Sequence, residues 1–475
     1  MSDQSGTDTL GLSDTVALHI QGCVFENLPP NVVEVTKRSL LDAIGVSLAA
    51  SGLAPEVRSF ADLACLSTAS EEASILGFGG KASAASAAFV NGAMAHAVDY
   101  EDSFDLNPCH PNASLVPAAL AVAEAKGGVS GRDFLTAMAV GSDLVCRMGL
   151  SLRQTMEESG WYPPPILGAF GAVAATAKLL GLTAEQIKDA FSLTLCQVTC
   201  SGEIKYSART EIRAVREAFP AQAAVISAQL AERGLAGFEM PLEGKAGFFR
   251  LYVDGQYDPE TLLHSLGVKF YGEDVSFKPW PSCRGTHAFV EACLNLRQEH
   301  GFHWTDIEKV SLIGGDVHVM LVEPREQKVA PATAIDAKFS LPFTVATALS
   351  FGLITLDSFT PSALRDEATL SLADKVVFQL REEWGRDKAA SAQVEIQLRS
   401  RRKLRRSVDF ALGHPGNPMS QEQLIEKFVD CAARAVRPVT RRQAVDIAER
   451  LLGLENEQDM AELMAHISSQ MSRKI

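Results

Sequence analysis

The chain has little of what marks several large protein classes. It has no C-x-x-C, and its nine cysteines are odd in number and scattered. Such a set reads as reduced, mostly buried thiols of a cytoplasmic protein, not as a disulfide framework. Cys196 and Cys200, four apart, would share one face of a helix. The stretch Met1–Asp14 lacks a basic n-region and an apolar h-region, so no signal or transit peptide is expected there. No apolar run reaches about 18 residues, so no membrane span and no membrane partner are expected. Positive charge is in deficit: 44 Lys and Arg face 58 Asp and Glu, a net −14. Nucleic acid is therefore excluded as a partner of the whole molecule, and an anionic substrate needs a local basic pocket. P-loop, G-x-S-x-G and H-E-x-x-H motifs are absent, as are internal repeats and low-complexity linkers.

What remains is an ordinary globular composition, 47% apolar and 21% charged over 475 residues. That length suggests two or three domains. Ala-rich, mostly unbranched segments cover 82–98, 114–126, 131–150, 166–181, 184–196 and 217–233. Gly or Pro punctuates them, and small side chains at every turn allow close helix packing. Residues 1–270 read as one all-α body with almost no strand signal. The pattern changes at 271–412. Lys309–Val319, Ala392–Leu398 and Arg406–Leu412 alternate as strands should, with helices expected over Gly285–His300, Pro342–Gly352 and Ala363–Lys375. This is an α+β unit. Residues 413–475 return to helix and are expected to pack back on the first body.

Gly77-Phe-Gly-Gly-Lys-Ala matches G-x-G-x-x-A, with Asp99 22 residues on. The residues before Asp99 are helical in composition, however, where a dinucleotide-binding unit needs a strand.

Four segments carry chemistry. His96-Ala-Val-Asp-Tyr-Glu-Asp-Ser crowds Asp99, Glu101 and Asp102 together, and His110-Pro follows. Mutual repulsion would raise a carboxyl pKa, which suits acid–base work. The same residues would equally make an acidic helix end. No further His or Cys has metal-ligand spacing, so no metal is expected. Gly160-Trp-Tyr-Pro-Pro-Pro fixes an extended loop from which Tyr162 points a phenol inward, or merely stiffens a connection. Lys205, Arg209, Arg213 and Arg216 include a stripe at spacings of four and three, either a solvated face or a carboxylate pocket. Lys278-Pro-Trp-Pro-Ser-Cys-Arg-Gly-Thr-His offers Lys278, Cys283, Arg284 and His287 on an ordered loop. A basic anion-binding loop fits better than a thiol nucleophile, since no third group orients a Cys–His pair. Together these groups suggest a small di- or tricarboxylate and proton transfer without a cofactor.

The chain resembles the MmgE/PrpD family, which includes 2-methylcitrate dehydratase, cis-aconitate decarboxylase and iminodisuccinate epimerase. The resemblance rests on Asn91–Ser103, His110-Pro with Val116–Ala121, Leu167–Ala172, Lys178–Leu182, Lys278–Arg284 and Ala337–Phe343, in family order. It implies a large all-α domain, a smaller α+β lid, an active site in the cleft between them, homodimers, and no metal or organic cofactor. By position, Asp99, Ser103, His110 and Lys278 match family residues. Three positions depart. Tyr162 replaces an active-site His, Arg213 a Lys, and Cys283 the His of the decarboxylases. A phenol is no base near neutral pH, and Arg binds without deprotonating. The resemblance then implies a hydratase or dehydratase, a carbon–oxygen lyase acting on a hydroxy di- or tricarboxylate. Asp99 and His110 move protons, with Tyr162 an acid. Lys278, Arg213, Arg216 and Arg284 hold carboxylates, with Ser103, Lys205, Cys283 and His287 nearby. An epimerase, a decarboxylase and a non-catalytic carboxylate binder stay open beside it.

Overall fold

The computed structural model describes residues 10–66, 70–107, 109–207, 210–385 and 388–472. Arg209, one member of the arginine stripe, lies outside the described residues. Helices begin where the sequence supplies a start. Pro30, Pro111 and Pro163 stand at first helical positions, where a missing N–H costs nothing. The Ser83, Ser130 and Thr183 side chains each accept a first-turn N–H.

The first body comprises α1 (Leu12–Gly22), α2 (Pro30–Leu53), α3 (Val57–Leu66), α4 (Ala84–Ala97), α5 (Pro111–Lys126), α6 (Gly131–Ser151), α7 (Pro163–Leu180), α8 (Ala184–Leu195), the short α9 (Ile212–Val215) and α10 (Ala218–Glu232). At its centre α7 packs against α5, α6, α8 and α10. Small residues set the approach: a Cβ on Gly171 would lie 2.3 Å from Val145 Cγ2 and 2.6 Å from the Gly141 carbonyl. Helix α7 also corrects one expectation. It is 18 residues long with a mean hydropathy of 1.2, enough to cross a bilayer by length and composition, yet 89% of it is buried as the core helix. Helix α8 ends before Cys196, which is exposed, and Cys200 lies beyond it. The two thiols therefore do not share a helix face.

The strand signal missed in this body is a short hairpin, β1 (Ala73–Ser74) with β2 (Lys81–Ala82). Its turn explains the glycines of the rejected nucleotide fingerprint. Gly77, Gly79 and Gly80 have φ of 73°, 74° and 87°, left-handed values that a side chain resists.

Short helices α11 (Phe248–Val253) and α12 (Pro259–Leu263) lead out of the body. The second unit holds α13 (His287–His300), β3 (Ile307–Gly314), α14 (Arg325–Val329), α15 (Ala334–Lys338), α16 (Leu341–Phe351), α17 (Glu367–Ala373), β4 (Val376–Leu380), β5 (Ala392–Leu398) and β6 (Lys403–Val408). The sheet order is β4-β3-β5-β6, with β3 and β4 parallel and the other pairs antiparallel. Ile307, Val310 and Leu312 of β3 are buried. The alternation expected to run to Val319 stops at Gly314. Residues Asp316–Leu321 turn as a 3-10 helix, and the His318 Nδ1 accepts the Gly315 N–H at 3.1 Å. Strand β4 was not foreseen, and β6 begins at Lys403 instead of Arg406.

The chain then returns to the body. Helices α18 (Gln421–Ala433) and α19 (Arg441–Leu452) pack on α2, and α20 (Met460–Ser472) packs on α5.

Candidate active site

Helix α4 carries His96 in its last turn, and the chain turns sharply at Asp99, whose φ is +50°. Non-glycine residues seldom adopt this conformation, though Asp and Asn tolerate it best. The turn folds residues 99–103 back under the helix. Glu101 comes against both imidazoles: it hydrogen-bonds His96 Nδ1, and His110 Nδ1 is 3.0 Å from the same oxygen. His110 Nδ1 also donates to the Asp102 carbonyl at 2.8 Å. That bond places a proton on Nδ1 and leaves Nε2 as the nitrogen that can exchange a proton. The Asn112 amide donates to Asp102 at 2.7 Å.

The loop before α13 meets this turn through a short antiparallel bridge. Ser103 and Ser276 exchange N–H to carbonyl bonds of 2.9 and 2.7 Å. The bridge delivers Lys278, fully buried, to Asp99 Oδ1 at 2.6 Å and to within 3.9 Å of Glu101. Asp99, Ser103, His110, Lys205, Lys278, Cys283 and Arg284 all line one cavity of about 380 Å³. Its other walls include Phe104, Leu106, Val317, Met320, Leu321 and Phe339. Charged and apolar side chains thus share its lining.

The three crowded carboxylates do not behave as repulsion alone predicts. Burial pushes each upward, but Lys278 and His96 overcome it at Asp99, and His96, Lys278 and His110 overcome it further at Glu101. Both are held below the ordinary range. Asp102 has no ion pair among the described residues, and burial raises it to about 7. Burial and the Arg216 charge lower His96 to about 3, despite Glu101. Lys278 is raised, since Asp99 and Glu101 outweigh its burial. Burial, then Asp99, lifts the Cys283 thiol to about 11, so it stays protonated at neutral pH.

Four expected site residues stand off the cavity wall. Tyr162 is buried and starts α7, with its ring between Lys205 and the Arg216 guanidinium, 5.7 and 5.2 Å from its centre. Arg213 lies 3.5 Å over the ring of Phe339, which itself faces the cavity. Arg216 pairs with Glu217 at 3.0 Å and donates to the Arg213 carbonyl at 2.8 Å. His287 sits under the loop, its Nε2 on the Ser282 carbonyl at 3.0 Å. Each was expected from residue type and spacing, which do not tell a wall from the layer behind it. Arg284 does line the cavity, but Asp105 at 3.0 Å and the Leu412 carbonyl at 2.8 Å engage it. Lys205 is the looser cation, 3.5 Å from Glu157. The wall also carries Asp105, Glu157 and Asp316. It is therefore mixed in sign rather than simply positive.

The sequence puts Glu101 among three crowded carboxylates and His96 in the same segment, but neither was among the expected site residues. Their signal was present, since His96, Asp99 and Glu101 fall within one turn and its exit. His96, Glu101 and His110 place one donor atom each within 4.8 Å of one another, a metal-like set that spacing had not assembled. Lys278, 3.9 Å from Glu101, and the Arg216 charge felt by His96 already supply positive charge there. The cluster's chemistry is that of a hydrogen-bonded charge network.

Body, lid and intervening cavity correspond to the two halves of one enzyme family. The chain belongs to the MmgE/PrpD family: its N-terminal domain matches residues 14–260 and its C-terminal domain residues 280–452. Among curated relatives, it is 26% identical to a cis-aconitate decarboxylase-like protein of Aspergillus oryzae, over 94% of this chain and 95% of that one. It is 26% identical to human cis-aconitate decarboxylase, over 94% and 92%. It is 24% identical to cis-aconitate decarboxylase of Aspergillus terreus, over 96% and 95%.

Proposed function

We propose that the chain is a lyase for a small polycarboxylate, and that its reaction is decarboxylation of an unsaturated tricarboxylate of the cis-aconitate kind. One observation carries this reading: acid–base groups of the body and the lid's Lys278 share one cavity lined by both charged and apolar side chains. The relatives named cis-aconitate decarboxylase favour it over the dehydration expected from sequence. Two of the three departures, Tyr162 and Arg213, stand behind the cavity wall, so they weigh less against decarboxylation than their residue types suggested. Cys283 faces the cavity as a neutral thiol, a weak donor and no base.

In this reading Lys205 and Lys278 hold two substrate carboxylates. The third lies against Phe104, Leu106 and Met320, where an anion is poorly solvated and its loss as carbon dioxide is favoured. The bond to that carboxylate breaks, its electron pair moves into the adjoining unsaturated system, and a carbon at the far end takes a proton. His110 Nε2 carries that proton, with the ring oriented by Asp102 and Glu101 through Nδ1. Asp99, whose Oδ2 is buried without a hydrogen-bond partner and which lines the same cavity, is the second group that can relay the proton each turnover consumes.

Incubation of the pure protein with cis-aconitate in deuterium oxide tests this. Carbon dioxide and a singly deuterated unsaturated dicarboxylate are expected. An unsaturated acid formed only from hydroxy polycarboxylates would make the enzyme a dehydratase. Deuterium exchange without net turnover would make it an epimerase. Ligand-induced stabilisation with neither would make it a binder.

A further inference from the structure

Three consecutive carbonyls at the Asp99 turn each accept a hydrogen bond from a different buried lysine. Lys338 reaches the Val98 carbonyl at 2.7 Å, Lys278 the Asp99 carbonyl at 3.2 Å, and Lys427 the Tyr100 carbonyl at 2.7 Å. They come from α15, the loop before α13, and α18, so three separate parts of the chain converge on one turn. Two of the lysines have carboxylate partners. Lys278 pairs with Asp99, and Lys427 pairs with Asp42 at 2.6 Å while also donating to the Lys278 carbonyl at 2.9 Å. Lys338 differs. Among the described residues its ammonium makes one hydrogen bond and no ion pair.

A buried ammonium without a directly paired carboxylate is costly, so its retention asks for a reason. The Val98 carbonyl belongs to the peptide plane whose orientation sets the φ of Asp99. That φ is +50°, in the region most side chains avoid, and something must hold it. We infer that Lys338 is a positioning residue of the proposed reaction: by gripping the Val98 carbonyl it keeps Asp99 in the left-handed turn that aims its carboxylate at Lys278 and the cavity. The inference rests on the function proposed above. Burial lowers Lys338 to about 8, with Asp99 and Glu56 opposing the fall, which keeps the ammonium charged at neutral pH.

The test uses a second opening. Lys338 lines another cavity of about 460 Å³, together with Val98, Glu56, Glu211, Phe359 and Arg365. In Lys338→Ala, a small alkylamine can enter there and replace the missing ammonium. With the full-length protein, kcat on the decarboxylated substrate should fall about a hundredfold while KM moves less than about threefold, as for a slightly misplaced catalytic group. Ethylamine or propylamine should restore at least about a tenth of the lost rate, again because position is what was lost. Amide hydrogen exchange at residues 99–101 should speed up in the variant and slow again with the amine. Should the alanine variant not fold, Lys338→Met is read by kcat, KM and exchange alone. A kcat close to wild type, or a loss that falls with melting temperature and gains nothing from amine in rate or exchange, overturns the inference. A wild-type protein that turns over no polycarboxylate removes the proposed function instead, and the exchange measurements still judge the grip on the turn.

Discussion

Two charged segments look alike on paper and end in different places. Residues 96–110 and 205–216 each combine several ionisable groups with apolar neighbours. The first places Asp99, Ser103 and His110 on the cavity wall, because a left-handed turn redirects the chain after α4. The second sends Lys205 to the wall but tucks Arg213 behind Phe339 and Arg216 beside Glu217. A turn that reverses the chain aims several side chains at one point. A helical stripe only shares a side, and its neighbours decide whether that side meets a cavity.

Substitutions in the two segments can sharpen or break this contrast. The largest effect is expected from Asp99→Asn, which keeps a residue tolerant of the turn but removes the basic carboxylate. Turnover should fall by about a thousandfold with substrate binding largely kept; retained activity would take Asp99 out of the chemistry. Lys278→Met strands Asp99 and Glu101 in the interior without their cation. Chemical denaturation should show a loss of about 3–5 kcal/mol. Asp102→Asn comes next. The folded protein holds a proton on Asp102 up to about pH 7, against an ordinary value of 3.8. Its burial therefore costs nothing below about pH 4, and wild-type stability drops as pH rises from there to about 7. The melting temperature of the variant relative to wild type should climb across that window, and a constant difference would refute the raised value. In the second segment, Lys205→Ala should raise KM by about tenfold, the loss of one charge-assisted contact. Arg213→Met should be nearly silent in KM, with stability nearly unchanged, since it replaces a buried guanidinium that has no ion pair among the described residues by an apolar chain of similar length that still packs on Phe339. A tenfold rise in KM would return Arg213 to the pocket and erase the contrast.

The fold was legible to the extent that local signals set it. Prolines and Ser or Thr caps marked the starts of α2, α5, α6, α7 and α8, and alternation marked β3 and β5. Strand β4 was hidden because its five residues pair in parallel with β3, a partner more than sixty positions away, and nothing local announces that. Asp99, His110 and Lys278 were legible as a set through residue type and family resemblance. Glu101 and His96 were legible as members of the charged segment but not as contact partners, because their pairing appears only once Asp99 takes a positive φ. The off-wall positions of Tyr162, Arg213, Arg216 and His287 depend on which ring or loop stands in front of them, which is a matter of tertiary packing.

Helix α7 runs through the middle of the body with the apolarity of a lipid-embedded segment, and only its wrapping by α5, α6, α8 and α10 keeps it there. During synthesis α5 and α6 precede it, but α10 emerges nearly forty residues after α7 is complete. For that interval the nascent chain carries a half-covered greasy rod, an apt target for chaperones and a seed for aggregation. Slower translation between α7 and α10, or a change that delays α10 from closing, should therefore lower soluble yield even where the finished enzyme is no less stable.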